Sequence, residues 1–179
     1  MKTRQVTLAA GDTFTVPQGI QRLDSHSTRG WQVRYQGTKY FPDGQAGAGK
    51  ALEMAIKELL ARIASLPAPV GLKREVNPSK GSTLPVGISG PILVIKAGVA
   101  SQSAVLSVSV PRFGKPSQTK KVHIGTDRTY NKTRYRQALA KAIEIRSEGL
   151  ALYEADATRA KRKEGIALKK AIRSGRLGA

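Results

Sequence analysis

Gly30-Trp31-Gln32-Val33-Arg34-Tyr35-Gln36 alternates apolar and polar residues at period two, the pattern of a strand with one buried face. Alternation turns Val33 and Tyr35 toward a core and leaves Gln32, Arg34 and Gln36 pointing away from it. Trp31 has two possible places, the core or a sugar-facing surface. Ile20-Gln21-Arg22-Leu23 precedes this strand, and Gly37-Thr38 turns the chain into Lys39-Tyr40-Phe41, closed by Pro42-Asp43-Gly44. Three short antiparallel strands are therefore predicted. After Gly47-Ala48-Gly49, residues Leu52, Ile56, Leu59, Ile63 and Leu66 recur at spacings of three and four, which predicts an amphipathic helix over 50–66. Pro67 and Pro69 stop it, because proline lacks an amide proton and crowds the preceding turn. A three-stranded sheet backed by one helix accounts for residues 20–66.

Residues 1–19 alternate only weakly, with Val6, Leu8, Phe14 and Val16 among polar neighbours, and read as a short strand or an arm. Residues 67–86 are rich in Pro, Gly, Ser and Lys and are expected to form a linker. The second half repeats the plan in periodicity rather than identity. Strands are predicted over 91–96, 105–110 and 121–124, with turns over 98–103 and 114–119. Leu106, Val108 and Val110 form the inward set of the middle strand, leaving Ser107 and Ser109 outward. A helix follows with Tyr135, Leu139, Ala142, Ile143 and Leu150 on one stripe and either Asn131 or Thr133 as N-cap. Residues 153–179 read as a separate basic helical tail. The expected fold class is α+β: two small modules, each a three-stranded antiparallel sheet packed on one helix (20–66 and 87–152), plus the tail.

Charge narrows the function. The chain holds 31 Lys and Arg against 12 Asp and Glu, a net +19, a surplus that attracts phosphate polymers through its summed field and through counterion release. It is uneven, with 11 basic and 6 acidic residues in 1–75 against 20 and 6 in 76–179. No run approaches the roughly 18 apolar residues of a membrane span, and Met1-Lys2-Thr3-Arg4 leads into mixed polar sequence unlike a signal peptide. A cytoplasmic, nucleoid-associated protein with no membrane partner is expected. Cysteine is absent, which excludes disulfides and thiolate metal sites.

Enzymatic readings find little support. His26 and His123 have no cysteine to serve and no evident carboxylate to orient them. Gly44-Gln45-Ala46-Gly47-Ala48-Gly49-Lys50 has the glycines of a phosphate-binding loop, but Ala51 follows where a hydroxyl should hold magnesium. Asp24, Asp43 and Asp127 fall on separate turns and offer no predicted metal cluster. Tyr130, Tyr135 and Tyr153 are not accompanied by sequence for a separate recombinase domain. No enzyme activity, cofactor or metal is expected, and the sequence leaves oligomeric state open.

The run Gly30 to Tyr35, then Lys39-Tyr40-Phe41, then the alanine-rich Ala51-Leu52-Glu53-Met54-Ala55-Ile56 resembles an AP2 domain, most of all the bacterial and phage versions. The resemblance covers about residues 20–66; residues 87–150 resemble the family in layout but lack its tryptophan and strand arginines. It implies a sheet lying in the DNA major groove and a transcriptional regulator whose partner is double-stranded DNA. Arginine and glutamine suit guanine and adenine edges, so the expected contact set on the first module is Arg22, Arg29, Trp31, Gln32, Arg34, Gln36, Lys39 and Tyr40. On the second module it is Lys96, Ser107, Ser109, Arg112, Lys121 and His123, with Lys120 and Arg128 as further phosphate donors. Lys169, Lys170 and Arg173 of the tail are expected to grip phosphates as a DNA-ordered arm. The competing expectations are a sheet face simply left in water and a structural protein that neutralises nucleic acid without reading sequence, such as a nucleoid, ribosome-associated or phage particle component.

Overall fold

The strands expected around Trp31 form in register, and their connections obey the turn chemistry that the glycines announce. The structure is a computed structural model of the 179-residue chain; it describes residues 1–73, 75–76, 81, 83–95 and 101–174. Contacts divide the chain into two units, Met1–Val70 with Ala157–Ala179, and Gly71–Asp156.

In the first unit a hairpin of β1 (Thr3–Thr7) and β2 (Thr13–Pro17) precedes the sheet β3 (Ile20–Asp24), β4 (Arg29–Arg34) and β5 (Thr38–Pro42), with β4 in the middle and all pairings antiparallel. The helix α1 (Gly47–Ser65) begins three residues before the expected start and carries no side-chain cap. Its buried stripe is Ala51, Leu52, Ala55, Leu59 and Ile63, while Ile56 and Leu66 are half-buried. Leu66 leaves the helix in an extended conformation, as required of a residue before proline.

Trp31 is fully buried and organises this core. Its indole N–H donates to the Ala48 carbonyl at the start of α1 at 2.8 Å. The Phe14 ring meets it edge-on at 5.9 Å between centroids, and the Arg22 guanidinium lies 5.1 Å from the ring centre. Residues 1–19 are thus not a loose arm: the hairpin donates Phe14 and Val16 to the same core.

The second unit holds β6 (Ile88–Ile95), β7 (Gln102–Arg112) and β8 (Lys115–Thr126), with β7 central. Strands β7 and β8 run much further than predicted. Residues 115–119, expected in a turn, belong to β8, and the reversal is confined to Phe113 and Gly114. The reason is physical: residues 115–121 are all exposed, so this extension of the hairpin has no buried face to imprint an apolar period. Leu106, Val108 and Val110 do point inward, packing with Val122, Ile124, Ala138 and Ala142.

The helix α2 (Lys132–Arg173) starts at Asn131, whose Oδ1 accepts the Arg134 amide at 2.9 Å, so Asn131 is the N-cap. Gly149 permits its close approach to β7, because a Cβ there would lie 2.4 Å from Val110 Cγ1. Ile143, expected on the buried stripe, is 44% exposed.

The expected break before a separate tail does not occur: α2 continues to Arg173. From Ala157 onward its residues belong to the first unit, where Ala157 and Leu168 are buried. There the Ala68 amide donates to Thr158 Oγ1 at 3.0 Å, and a Cβ on Gly165 would lie 2.9 Å from Ile63. This segment is helical without DNA and packs within the first unit. Among the described residues no helix is long and apolar enough to cross a membrane.

Replacing Trp31 by alanine should lower unfolding stability by about 3–5 kcal/mol, the usual cost of emptying a large aromatic site. Urea denaturation followed by far-UV circular dichroism measures it. A loss below about 1 kcal/mol would deny Trp31 its organising place.

Candidate nucleic-acid interface

With α1 packed on one face of the first sheet, the other face is open. Register sets Gln21, Gln32 and Tyr40 in one row across the three strands, Leu23, Gly30 and Pro42 in the next, and Arg34 beside Thr38. None of these residues is acidic. Arg34 is exposed, Gln32 half-buried, and Arg34 Nε donates to Gln32 Oε1 at 2.6 Å. Gly30 is required by contact: a Cβ would meet the Phe41 carbonyl at 2.3 Å and the Tyr40 hydroxyl at 2.8 Å. The tyrosine can therefore lie across the strand backbone.

The helix side of the sheet holds several residues expected at a DNA surface. Trp31 is withdrawn from the contact set because it is fully buried. Arg22 shares its face and makes two 2.7 Å bonds to Asp43, with Asp24 at 3.9 Å. The hydrogen bonds that Arg22 donates to the Asp43 carboxylate raise its pKa against the opposing effect of burial. Asp24 and Asp43, expected on unrelated turns, are thus drawn together by one guanidinium.

Lys39 also lies on the helix side, 3.0 Å from Glu58 of α1. Glu58 accepts from Arg62 Nε at 2.7 Å, and Arg62 Nη1 donates to the carbonyls of Tyr35 at 3.1 Å and Gly37 at 3.2 Å. Helix and β4–β5 turn are tied together by this chain of bonds. Gln36 is a turn residue with φ +47° whose amide donates to the Pro67 carbonyl at 3.2 Å, so it leaves the row of Gln32 and Arg34. Arg29 is exposed at the sheet's end, 3.6 Å from Asp24. Of the first module's expected set, Gln32, Arg34 and Tyr40 share the open face.

No protein-family model, curated protein or solved structure matches this chain.

The second sheet also has a face turned away from its helix. Ser89, Ser107 and Lys121 form one row, Ile92, Val105 and His123 another, and Ser109 lies beside Thr119. Ser107 and Ser109 are half-buried, Lys121 and His123 exposed, and no carboxylate stands among them. Arg112 is not on this face: it ends β7, and its Nε donates to the Pro116 carbonyl at 3.0 Å across the hairpin. Lys120 pairs with inward-facing Val108 and so projects to the helix side, while Arg128 lies in the turn after β8. Lys96 lies outside the described residues. Lys169, Lys170 and Arg173 are exposed on the last turns of α2.

Sequence reasoning missed Arg146. Its guanidinium runs under Gly87, where a Cβ would lie 2.7 Å from it, and Nη1 donates to the Ser109 carbonyl. Burial lowers its pKa. The signal was present: 135, 139, 142, 146 and 149 continue the same three-and-four spacing, but a basic residue on an apolar stripe is easily passed over.

Glu58 gives a pH test of the scaffold. Hydrogen bonds from Arg62 first and Lys39 second hold its carboxyl below the ordinary glutamate range, so ionised Glu58 favours the folded chain. That contribution is present above the unfolded-state pKa and is lost as pH falls through the folded-state value. Glu58→Gln should therefore lower the urea midpoint at pH 7 and leave it unchanged in strong acid, so that variant and wild type converge on acidification. Parallel curves would contradict the pairing.

Proposed function

We propose that this chain is a double-stranded-DNA-binding protein that lays the open face of its first sheet along the major groove, acting as a transcriptional or nucleoid-associated regulator. One observation carries the proposal: Gln21, Gln32, Arg34 and Tyr40 occupy an open face without a carboxylate, while the unit's sheet-side carboxylates Asp24, Asp43 and Glu58 are engaged by cations elsewhere. A face of that kind combines bidentate donors with an unopposed positive field. A pair of strands spans about 5 Å between backbones, and the major groove, about 12 Å wide, admits such a ribbon. The AP2-like features of residues 20–66 point the same way. The second sheet, with Ser107, Ser109, Lys121 and His123, suits phosphate grip and groove shape better than base reading, since serine discriminates little among bases.

Selection of bound fragments from random duplexes should yield a preferred site. Combined Gln32→Ala and Arg34→Ala substitution should weaken that site by about 10- to 100-fold, the worth of a bidentate base contact, with a much smaller effect on random DNA. Equal loss on both would favour a sequence-independent, structural role. Lys121→Ala with His123→Ala should weaken both duplexes alike and flatten the dependence of affinity on salt.

A further inference from the structure

Beside the open face of the first sheet, the N-terminal hairpin, the β2–β3 turn and the end of β4 enclose a shallow basin of about 360 Å³. Its wall includes Lys2, Arg4, Gln18, Gly19, Gln21 and Arg34. Three of these are cations, and none of the residues lining the basin is acidic. Resting on the proposed DNA-binding role, we propose that this basin is a phosphate site that takes one backbone phosphate of the bound duplex, with Lys2 and Arg4 as its donors and the charge of Arg34 at its edge adding to the field.

The backbone around the basin is braced. Gly19 adopts φ +102°, its carbonyl accepts the Arg34 amide at 2.7 Å, and the Lys2 carbonyl accepts the Gln18 amide at 2.9 Å. Arg4 Nη2 donates to the Ile20 carbonyl at 3.3 Å, and Arg34 uses Nε on Gln32. Both guanidinium groups are steered by neutral acceptors that leave their charge unneutralised and further N–H groups unused. Among the described residues none of the three cations has an ion-pair partner, whereas Arg22, Arg29, Lys39 and Arg62 in the same unit all do. Three like charges around one concavity repel, and an anion relieves that repulsion. A phosphate suits the donors because guanidinium forks meet its oxygens two at a time. Gln21 and Arg34 belong to both the basin and the open face. A phosphate held here would therefore set the register of the duplex over Gln32 and Tyr40, giving the hairpin a binding role beyond the two core residues it supplies.

The test uses the full chain and the double variant Lys2→Ala/Arg4→Ala, which keeps Arg34 and Gln32 for base contact. Both altered side chains are exposed, and an unchanged urea midpoint verifies the fold. Fluorescence anisotropy against the selected site and a random duplex, over a series of salt concentrations, should show equal weakening on both. The slope of log affinity on log salt should fall in magnitude by about 0.9, the signature of one lost phosphate contact. An unchanged slope and affinity, with site preference intact, would overturn the basin and leave the sheet-reading role standing. If the wild type binds no duplex even at low salt, the DNA-binding role itself falls. Titration with inorganic pyrophosphate then decides the basin: saturable shifts of the Arg4 and Arg34 Nε–H resonances, absent for Arg34 in the variant, sustain a phosphate site for a free anion, and no shift removes it.

Discussion

The burial of Trp31 is the constraint on which the first unit depends. Its indole meets three parts of the chain at once: Phe14 of the hairpin, Arg22 of β3 and the Ala48 carbonyl of α1. A side chain of that size has one place in a sheet-on-helix sandwich, and burying its N–H is tolerable only with an acceptor in reach. Once Trp31 faces the helix, strand geometry leaves no freedom for its neighbours. Gln32 and Arg34 must lie on opposite faces from Trp31 and Val33, and a slip of one residue would bury the arginine and expose the tryptophan.

Charge follows the same partition. On the helix side Arg22, Lys39 and Arg62 meet Asp43 and Glu58, and these bonds join sheet, turn and helix. The same pairings decide where positive charge around the sheet is left uncancelled. Around the sheet, Lys2, Arg4 and Arg34 have no ion-pair partner among the described residues. The second unit reaches a similar polarity with different materials. Leu106 and Val108 are buried under α2, Gly149 lets the helix approach Val110, and Arg146 reaches the Ser109 carbonyl, leaving small hydroxyls beside Lys121 and His123 on the far side.

Much of this was legible in the residues wherever a buried face imposed a period. The three strands around Trp31, the stripe of α1 and the inward set Leu106, Val108 and Val110 all follow from alternation or three-and-four spacing. Legibility failed where no such period existed. Residues 115–121 form a strand with every side chain exposed, and the hairpin of residues 3–17 buries only two aromatic or branched side chains deeply, Phe14 and Val16. Among the candidate contacts, parity separated Gln32 and Arg34 from the core correctly, but assigning Arg22 and Lys39 to a binding surface overlooked that they share parity with buried partners across the sheet.

The amino-acid sequence by itself determined the α+β class, the two sheets of three strands, the helix behind each, and a strong positive charge, because periodicity and composition are local or summed properties of the chain. Tertiary structure alone decided which cations are spent on carboxylates and which stay unpaired. It decided that residues 157–173 dock against the first unit, and that Lys2 and Arg4 come beside Arg34. Those outcomes depend on contacts between residues tens of positions apart, such as Arg22 with Asp43 or Ala68 with Thr158, for which no spacing rule exists.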